Sequence, residues 1–238
     1  MTGRDAATPS PAGVAGETDP SVGRAARVAG LAAVTGNVLG VAFLRDVPSP
    51  YRPGDVPAWF RGLLAQPVAA QLSAWCFVVG LVALAVFFVL VAVAVRPASR
   101  GTLLAGAGLA AIGAAVNAVG SVAPLAAIRF LQDGGDPSSA AAAKALLGLA
   151  LMTDASFNLL LGLGLVALNL SLGRGSGWPA WVRALGVVAG LVSLPVAGQS
   201  VSDGFARLLL LSGPLWLVWI GAAAVAGLWQ RPPTPATL

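Results

Sequence analysis

Residues 142–170 read AAKALLGLALMTDASFNLLLGLGLVALNL. Beyond Lys144 the stretch holds a single ionisable side chain, Asp154, in a field of leucine, alanine and glycine. A helix needs roughly 20 predominantly apolar residues to cross a bilayer, and only a helix or a closed barrel can satisfy its backbone there. The run is continuous rather than alternating, which selects the helix.

Similar stretches occupy residues 25–44, 71–95, 101–128, 182–200 and 207–229, making six with 142–170. The whole chain of 238 residues is 57% hydrophobic and only 10% charged, with a mean hydropathy of +0.85. Soluble domains carry about 25% charged residues. The fold class expected is therefore all-α, a polytopic integral membrane bundle of six transmembrane helices. Residues 1–23, rich in Pro, Gly, Ser, Thr and Ala, read as a disordered cytoplasmic tail. The bundle then covers 24–230, and 231–238 form a C-terminal tail.

The formal charge of +5 does not indicate a nucleic-acid partner. The 14 Lys and Arg residues are dispersed among the connections, without a basic patch interleaved with aromatics. At membrane boundaries such residues snorkel and set orientation. With the N-terminus inside, Arg4, Arg24, Arg27, Arg96, Arg100, Arg174, Arg183 and Arg231 face the cytoplasm, against Arg45, Arg52, Arg61, Arg129, Lys144 and Arg207 outside. This bias of eight against six places both termini in the cytoplasm of a bacterial plasma membrane. Histidine is absent and cysteine occurs once, at Cys76. No resident metal or redox cofactor is expected, since His-ligated haem, thiolate zinc and iron–sulfur sites lack ligands. The most common general base is missing as well.

The longest connection, residues 45–70, leaves two readings open. Trp59, Phe60, Leu63 and Leu64 fall on one helical arc with Arg61 opposite, the pattern of a short interfacial helix. A plain loop with aromatic anchors fits equally well. Asp136-Pro137 predicts a sharp helix start. Pro124, Pro195 and Pro214 predict kinks, and Gly213-Pro214 is a candidate break in the last span. Gly36 with Gly40 and Gly186 with Gly190 are GxxxG pairs, which argue for close helix packing without showing a dimer.

Asn37, Asn117 and Asp154 fall near the centres of the first, third and fourth spans. Asn158 lies one turn beyond Asp154 on the same face. If spans one, three and four meet, these four side chains form a buried polar layer and a candidate binding site. An Asp at the centre of a span costs roughly 2.5–3.5 kcal/mol on the insertion scale. It must therefore either hold a proton or be surrounded by amide donors, and Asn117 and Asn37 are the expected partners. Lys144 lies about 15 Å away along the helix and points elsewhere.

Two interpretations of this layer stand side by side, polar glue between helices and a working site. Three functions follow. One is a non-enzymatic membrane protein that binds lipid, a small hydrophobic molecule or a partner membrane protein. The second is a small proton-linked transporter using Asp154. The third is an intramembrane isoprenoid- or lipid-modifying enzyme with Asp154 as acid and Asn117 or Asn158 orienting substrate. Gly198-Gln199-Ser200 carries no catalytic reading, because no histidine is available to activate the serine.

Several short motifs carry a family resemblance. They are Ala26-Arg27-Val28-Ala29-Gly30, Phe157 with Gly162-Leu163-Gly164, Trp178-Pro179-Ala180-Trp181 with Gly186, and Pro214-Leu215-Trp216 with Trp219. Through them, the chain over about 24–230 resembles bacterial six-span membrane proteins defined by a domain of unknown function of type 4386. The resemblance implies the six-helix architecture and supplies no activity and no site residues.

Overall fold

The computed structural model describes residues 20–47, 56–95, 97–133, 137–173, 176–200, 205 and 207–227, and among these there is no strand. The tails expected over 1–23 and 231–238 lie outside the described residues, save Pro20–Gly23, which open the first helix. The helices are α1 (Pro20–Phe43), α2 (Val56–Ala65), α3 (Pro67–Ala94), α4 (Arg100–Gly120), α5 (Ala123–Asp133), α6 (Pro137–Ser171), α7 (Ala180–Ser193) and α8 (Leu209–Ala222). A 3₁₀ segment, Leu194–Ser200, prolongs α7, and a π-helical turn, Ala223–Gly227, ends α8.

Six segments are long and apolar enough to cross a membrane: Pro20–Phe43, Pro67–Ala94, Arg100–Arg129, Lys144–Ser171, Ala180–Gln199 and Leu209–Ala226. They fall on the six stretches read from sequence, with ends shifted by a few residues. The protein is thus a multi-pass helical membrane protein. Its surface shows why water is the wrong solvent. Trp75, Val79, Val82, Val86, Val89 and Val93 recur at helical spacing along α3, and all are exposed. A contiguous apolar surface of this kind is stable only against lipid.

The spans form a ring in sequence order. The principal neighbours are α1 with α3, α3 with α4, α4 with α6, α6 with α7 and α7 with α8, and α8 returns to α1. The centre is filled by Phe87 and Phe88 of α3, Leu161, Leu165 and Leu168 of α6, and Trp219 and Ile220 of α8. Between neighbouring helices the contact is made by small residues. A methyl group on Gly36 would lie 2.7 Å from the Gly80 Cα, and one on Gly190 would lie 2.7 Å from the Gly162 carbonyl oxygen. Both GxxxG pairs read from sequence therefore contribute to packing inside the bundle, where van der Waals contact replaces the missing hydrophobic drive.

The end of the bundle where α1 begins is called here the N-terminal face, and the opposite end the cap face. At the cap face, α2 is a helix rather than a loop. Its Leu63 is buried with Ala70 of α3, Ala127 and Ile128 of α5 and Leu147 of α6, a second core separate from the central one. Arg61 is exposed and Leu64 half-buried, while the side chains of Trp59 and Phe60 lie outside the described residues.

Three prolines behave differently. Pro124 follows a turn at Ser121–Val122 that divides the third span into α4 and α5. Proline offers no N–H to continue the ladder, and it stands in the first turn of α5, where none is needed. Pro195 stands where α7 tightens into the 3₁₀ segment. Pro214, in contrast, sits inside α8, which runs unbroken from Leu209 to Ala222 and is not split at Gly213-Pro214. Membrane helices tolerate proline when local adjustments satisfy the freed carbonyl. The helix α6 starts at Pro137, where a first-turn proline belongs; Asp136 lies outside the described residues.

Candidate functional site

Helix α6 carries Asp154 and Asn158 one turn apart, and their neighbours α4 and the 3₁₀ segment each contribute one carboxamide. The Asn117 Nδ2 of α4 lies 3.4 Å from Asp154 Oδ1. Gln199 Nε2, at the end of the fifth span, donates to Asp154 Oδ2 at 3.0 Å and approaches the Leu151 carbonyl at 3.4 Å. Asn158 Nδ2 donates to the Asp154 backbone carbonyl at 2.9 Å and lies 3.5 Å from Asp154 Oδ2. One carboxylate is thus approached by three carboxamides from three consecutive spans. Ordinary N–H···O bonds fall at 2.7–3.2 Å, so of these three carboxamides Gln199 makes a close bond to the carboxylate and the two asparagines stand farther off.

Local structure explains the convergence. The turn after α4 is fastened at Asn117, whose backbone carbonyl accepts from the Ser121 N–H at 2.9 Å and the Ser121 hydroxyl at 2.8 Å. Gly120 lies directly against Thr153, so α4 and α6 are close beside Asp154. In the fifth span, the change at Pro195 from 3.6 to 3 residues per turn alters the azimuth of everything beyond it. That change sets Gln199 toward α6, on which the 3₁₀ segment packs.

Asn117 is seventeen residues from the start of α4, and Asp154 is seventeen residues from the end of α6. At 1.5 Å per residue both lie about 26 Å from the N-terminal face, well inside the spans Arg100–Arg129 and Lys144–Ser171, while Gln199 ends the fifth span.

The oxygen ends of two of the amides are left over. Asn158 is fully buried and its Oδ1 has no partner, and the same holds for the sealed Oε1 of Gln199. The amide orientations are dictated by their surroundings. Asn158 and Gln199 both face main-chain carbonyls as well as the carboxylate, so the N–H₂ ends must point there.

Asn37 is not part of this arrangement. It is buried at the α1–α3 crossing, where its Nδ2 donates to its own helix at the Ala33 carbonyl (2.9 Å) and packs against Gly80. Its depth matches that of Asn117 and Asp154, but the ring order turns α1 toward α3 and α8 instead of α4 and α6. Two polar residues with evident roles were not singled out in the sequence. Gln199 is one; the proline four residues before it was the available signal of an altered helical path. The other is Asn169, whose Nδ2 donates to Leu165 O at 2.8 Å and whose Oδ1 accepts from Trp219 Nε1 at 3.3 Å.

A half-open cavity of about 200 Å³ lies elsewhere on the cap face, lined by Pro67, Gln71, Leu125, Ile128 and Arg129. No group of three His, Cys, Asp or Glu side chains converges among the described residues.

The sequence profile of a family described as a domain of unknown function (DUF4386) matches residues 28–229. The chain belongs to that family. No curated protein and no solved structure matches it.

Proposed function

For this six-span member of the family, we propose a non-enzymatic role in which the protein binds a small hydrophobic molecule or a lipid whose polar group meets Asp154. The observation that supports this reading is the gathering of carboxamides from three spans around a single carboxylate, with the buried oxygens of Asn158 and Gln199 left without partners. Polar glue is normally complete, because an unsatisfied polar group in a membrane interior is costly. A binding site is normally incomplete until its ligand arrives. With both termini in the cytoplasm of a bacterial plasma membrane, Gln199 stands at the end of the fifth span away from the cytoplasm, within reach of solutes entering from that side.

A second reading, a small transporter that uses Asp154, draws support from the backbone. The turn at Ser121–Val122 and the 3₁₀ segment Leu194–Ser200 lie next to the cluster in sequence. Irregular backbone beside polar groups within the membrane is where transporters bind substrates and coupling ions.

Native mass spectrometry of the purified protein beside Asp154→Asn tests the binding role. A small molecule carried by the wild type and lost from a folded variant is the expected result. No co-purifying molecule in either sample, with the variant merely less stable, would return the cluster to structural glue.

A further inference from the structure

We infer that the Asp154 cluster holds one monovalent metal cation, of the size of sodium, ligated by the Asp154 carboxylate with the carbonyl oxygens of Asn158 and Gln199. The inference rests on the reading of Asp154 as a ligand-binding group and names what binds at its sealed side. Four observations lead to it.

The first is the pair of unpartnered oxygens, Asn158 Oδ1 and Gln199 Oε1, both sealed from solvent. Buried acceptors without donors are rare and call for an occupant. The second is proximity: the two carboxamides already share one neighbour, Asp154 Oδ2, at 3.5 and 3.0 Å. Their oxygen ends are one amide group away from the same carboxylate. The third is distance: the two asparagine Nδ2 atoms stand 3.4 and 3.5 Å from the carboxylate oxygens. An ion displaces these long contacts, and its bonds to the oxygens replace the Gln199 and Asn158 N–H bonds that it ends. The fourth is chemistry. The set contains oxygens and no sulfur or imidazole, which suits a hard cation, and a single carboxylate matches a single positive charge.

A carboxamide is a donor at one end and an acceptor at the other. In the form seen here the donor ends face Asp154. A cation set among the amides, the carboxylate and the facing Asp154 and Leu151 carbonyls removes the reason for that orientation; turning both amides over then presents Oδ1 and Oε1 to it, so a cation can be received by side-chain rotation, with no movement of the spans. The sealed setting of the oxygens excludes an organic headgroup from this position and admits an ion. The short 3₁₀ segment that carries Gln199 then becomes the element whose order depends on the ion.

The test uses the full chain purified in detergent with N-methylglucamine chloride as the only salt. Binding of ²²Na⁺ is followed by equilibrium dialysis, and thermal melts by circular dichroism at constant ionic strength with Na⁺, Li⁺ and K⁺ in turn. The expected result is a saturable, sodium-dependent rise in melting temperature with about one ion bound per chain. Asp154→Asn abolishes both, and Gln199→Leu weakens binding by roughly 10–100-fold, the loss usual when a metal site loses a supporting group. Val86→Ala, on the exposed apolar face of α3 and outside the cluster, leaves the sodium response intact, and serves as the folded control.

No saturable response to any alkali cation, or an equal response in wild type and Asp154→Asn, would overturn the inference. So would a melting temperature that follows pH and ignores alkali cations, which would make the occupant a proton. In any of these cases a co-purifying organic molecule that depends on Asp154 would still sustain the binding role, so the two failures are distinguishable.

Discussion

Helix α6 carries two polar clusters, and they are built on opposite terms. Near the N-terminal face, Asn169 closes its accounts: its amide N–H₂ donates to Leu165 O at 2.8 Å, and its oxygen accepts from Trp219 Nε1. Trp219 in turn stacks on Phe88 at 6.1 Å and meets Phe87 edge-on at 6.2 Å, with Trp178 at 6.1 Å on another side. Every atom of this node that can bond does so, and the surroundings are aromatic and dry. Fifteen residues earlier on the same helix, Asp154 accepts one close bond from Gln199 and two long contacts from asparagines, and the oxygens of Asn158 and Gln199 are orphaned. The difference separates polar groups that hold a bundle together from polar groups that wait for something. Asn37, bonded within α1 and pressed on Gly80, belongs with the first kind.

The contrast breaks if the Asn169 node proves dispensable, and three substitutions probe that. Trp219→Ala removes the ring that joins three aromatic neighbours and strips Asn169 Oδ1 of its donor. A loss of about 3–5 kcal/mol is expected, the range for a large aromatic truncated in a packed core. It reads out as a collapse of the helical melt by circular dichroism in detergent. Gly186→Ala comes next, at about 1–3 kcal/mol from overpacking. Its methyl group would occupy the place of Asn169 Nδ2 and Trp219 Nε1, so the same melt should shift downward by less. Asn169→Leu leaves Trp219 Nε1 buried without an acceptor and costs about 1–3 kcal/mol. A double-mutant cycle with Trp219→Phe checks it, and additive losses would show that the two side chains are not coupled.

The unequal visibility of these two clusters in the sequence has a physical cause. The spans were legible because a bilayer imposes length and apolarity on every crossing helix, so residues 71–95 and 142–170 announce themselves. Depth was legible too: Asn37, Asn117 and Asp154 do lie at one level. Azimuth was not, because each helix presents its faces to neighbours chosen by the whole ring. That is why Asn37 was grouped with Asp154 when its helix turns toward α3 and α8. Gln199 escaped because its reach depends on the 3₁₀ winding after Pro195, a change of about 20° per residue that composition does not record. Asn169 looked like one more residue near a helix end, and only the position of Trp219 fifty residues later gives it a partner.

The comparison is sharpened most by the substitution with the smallest expected effect on stability. Asp154→Asn should move the melting free energy by no more than about 1 kcal/mol, the size of one ordinary hydrogen bond. Three N–H₂ groups point at the carboxylate, so an introduced amide would oppose one of them with its own N–H₂. The unpartnered oxygens absorb that conflict, because a Gln199 amide turned over offers Oε1 as the acceptor the new side chain needs. Removing a charge from a weakly solvated place offsets what remains of the loss. Gln199→Leu should be similarly mild, since it deletes one close contact together with one orphaned oxygen. Melts of both variants in cation-free buffer beside Trp219→Ala decide the matter. A drop for Asp154→Asn that rivals the tryptophan variant would mean that the carboxylate is holding the spans together, and the two ends of α6 would then differ in chemistry but not in kind. A nearly unchanged melt would leave the cluster with no structural work that explains its assembly from three spans, and the reason for it would have to be sought in what it binds.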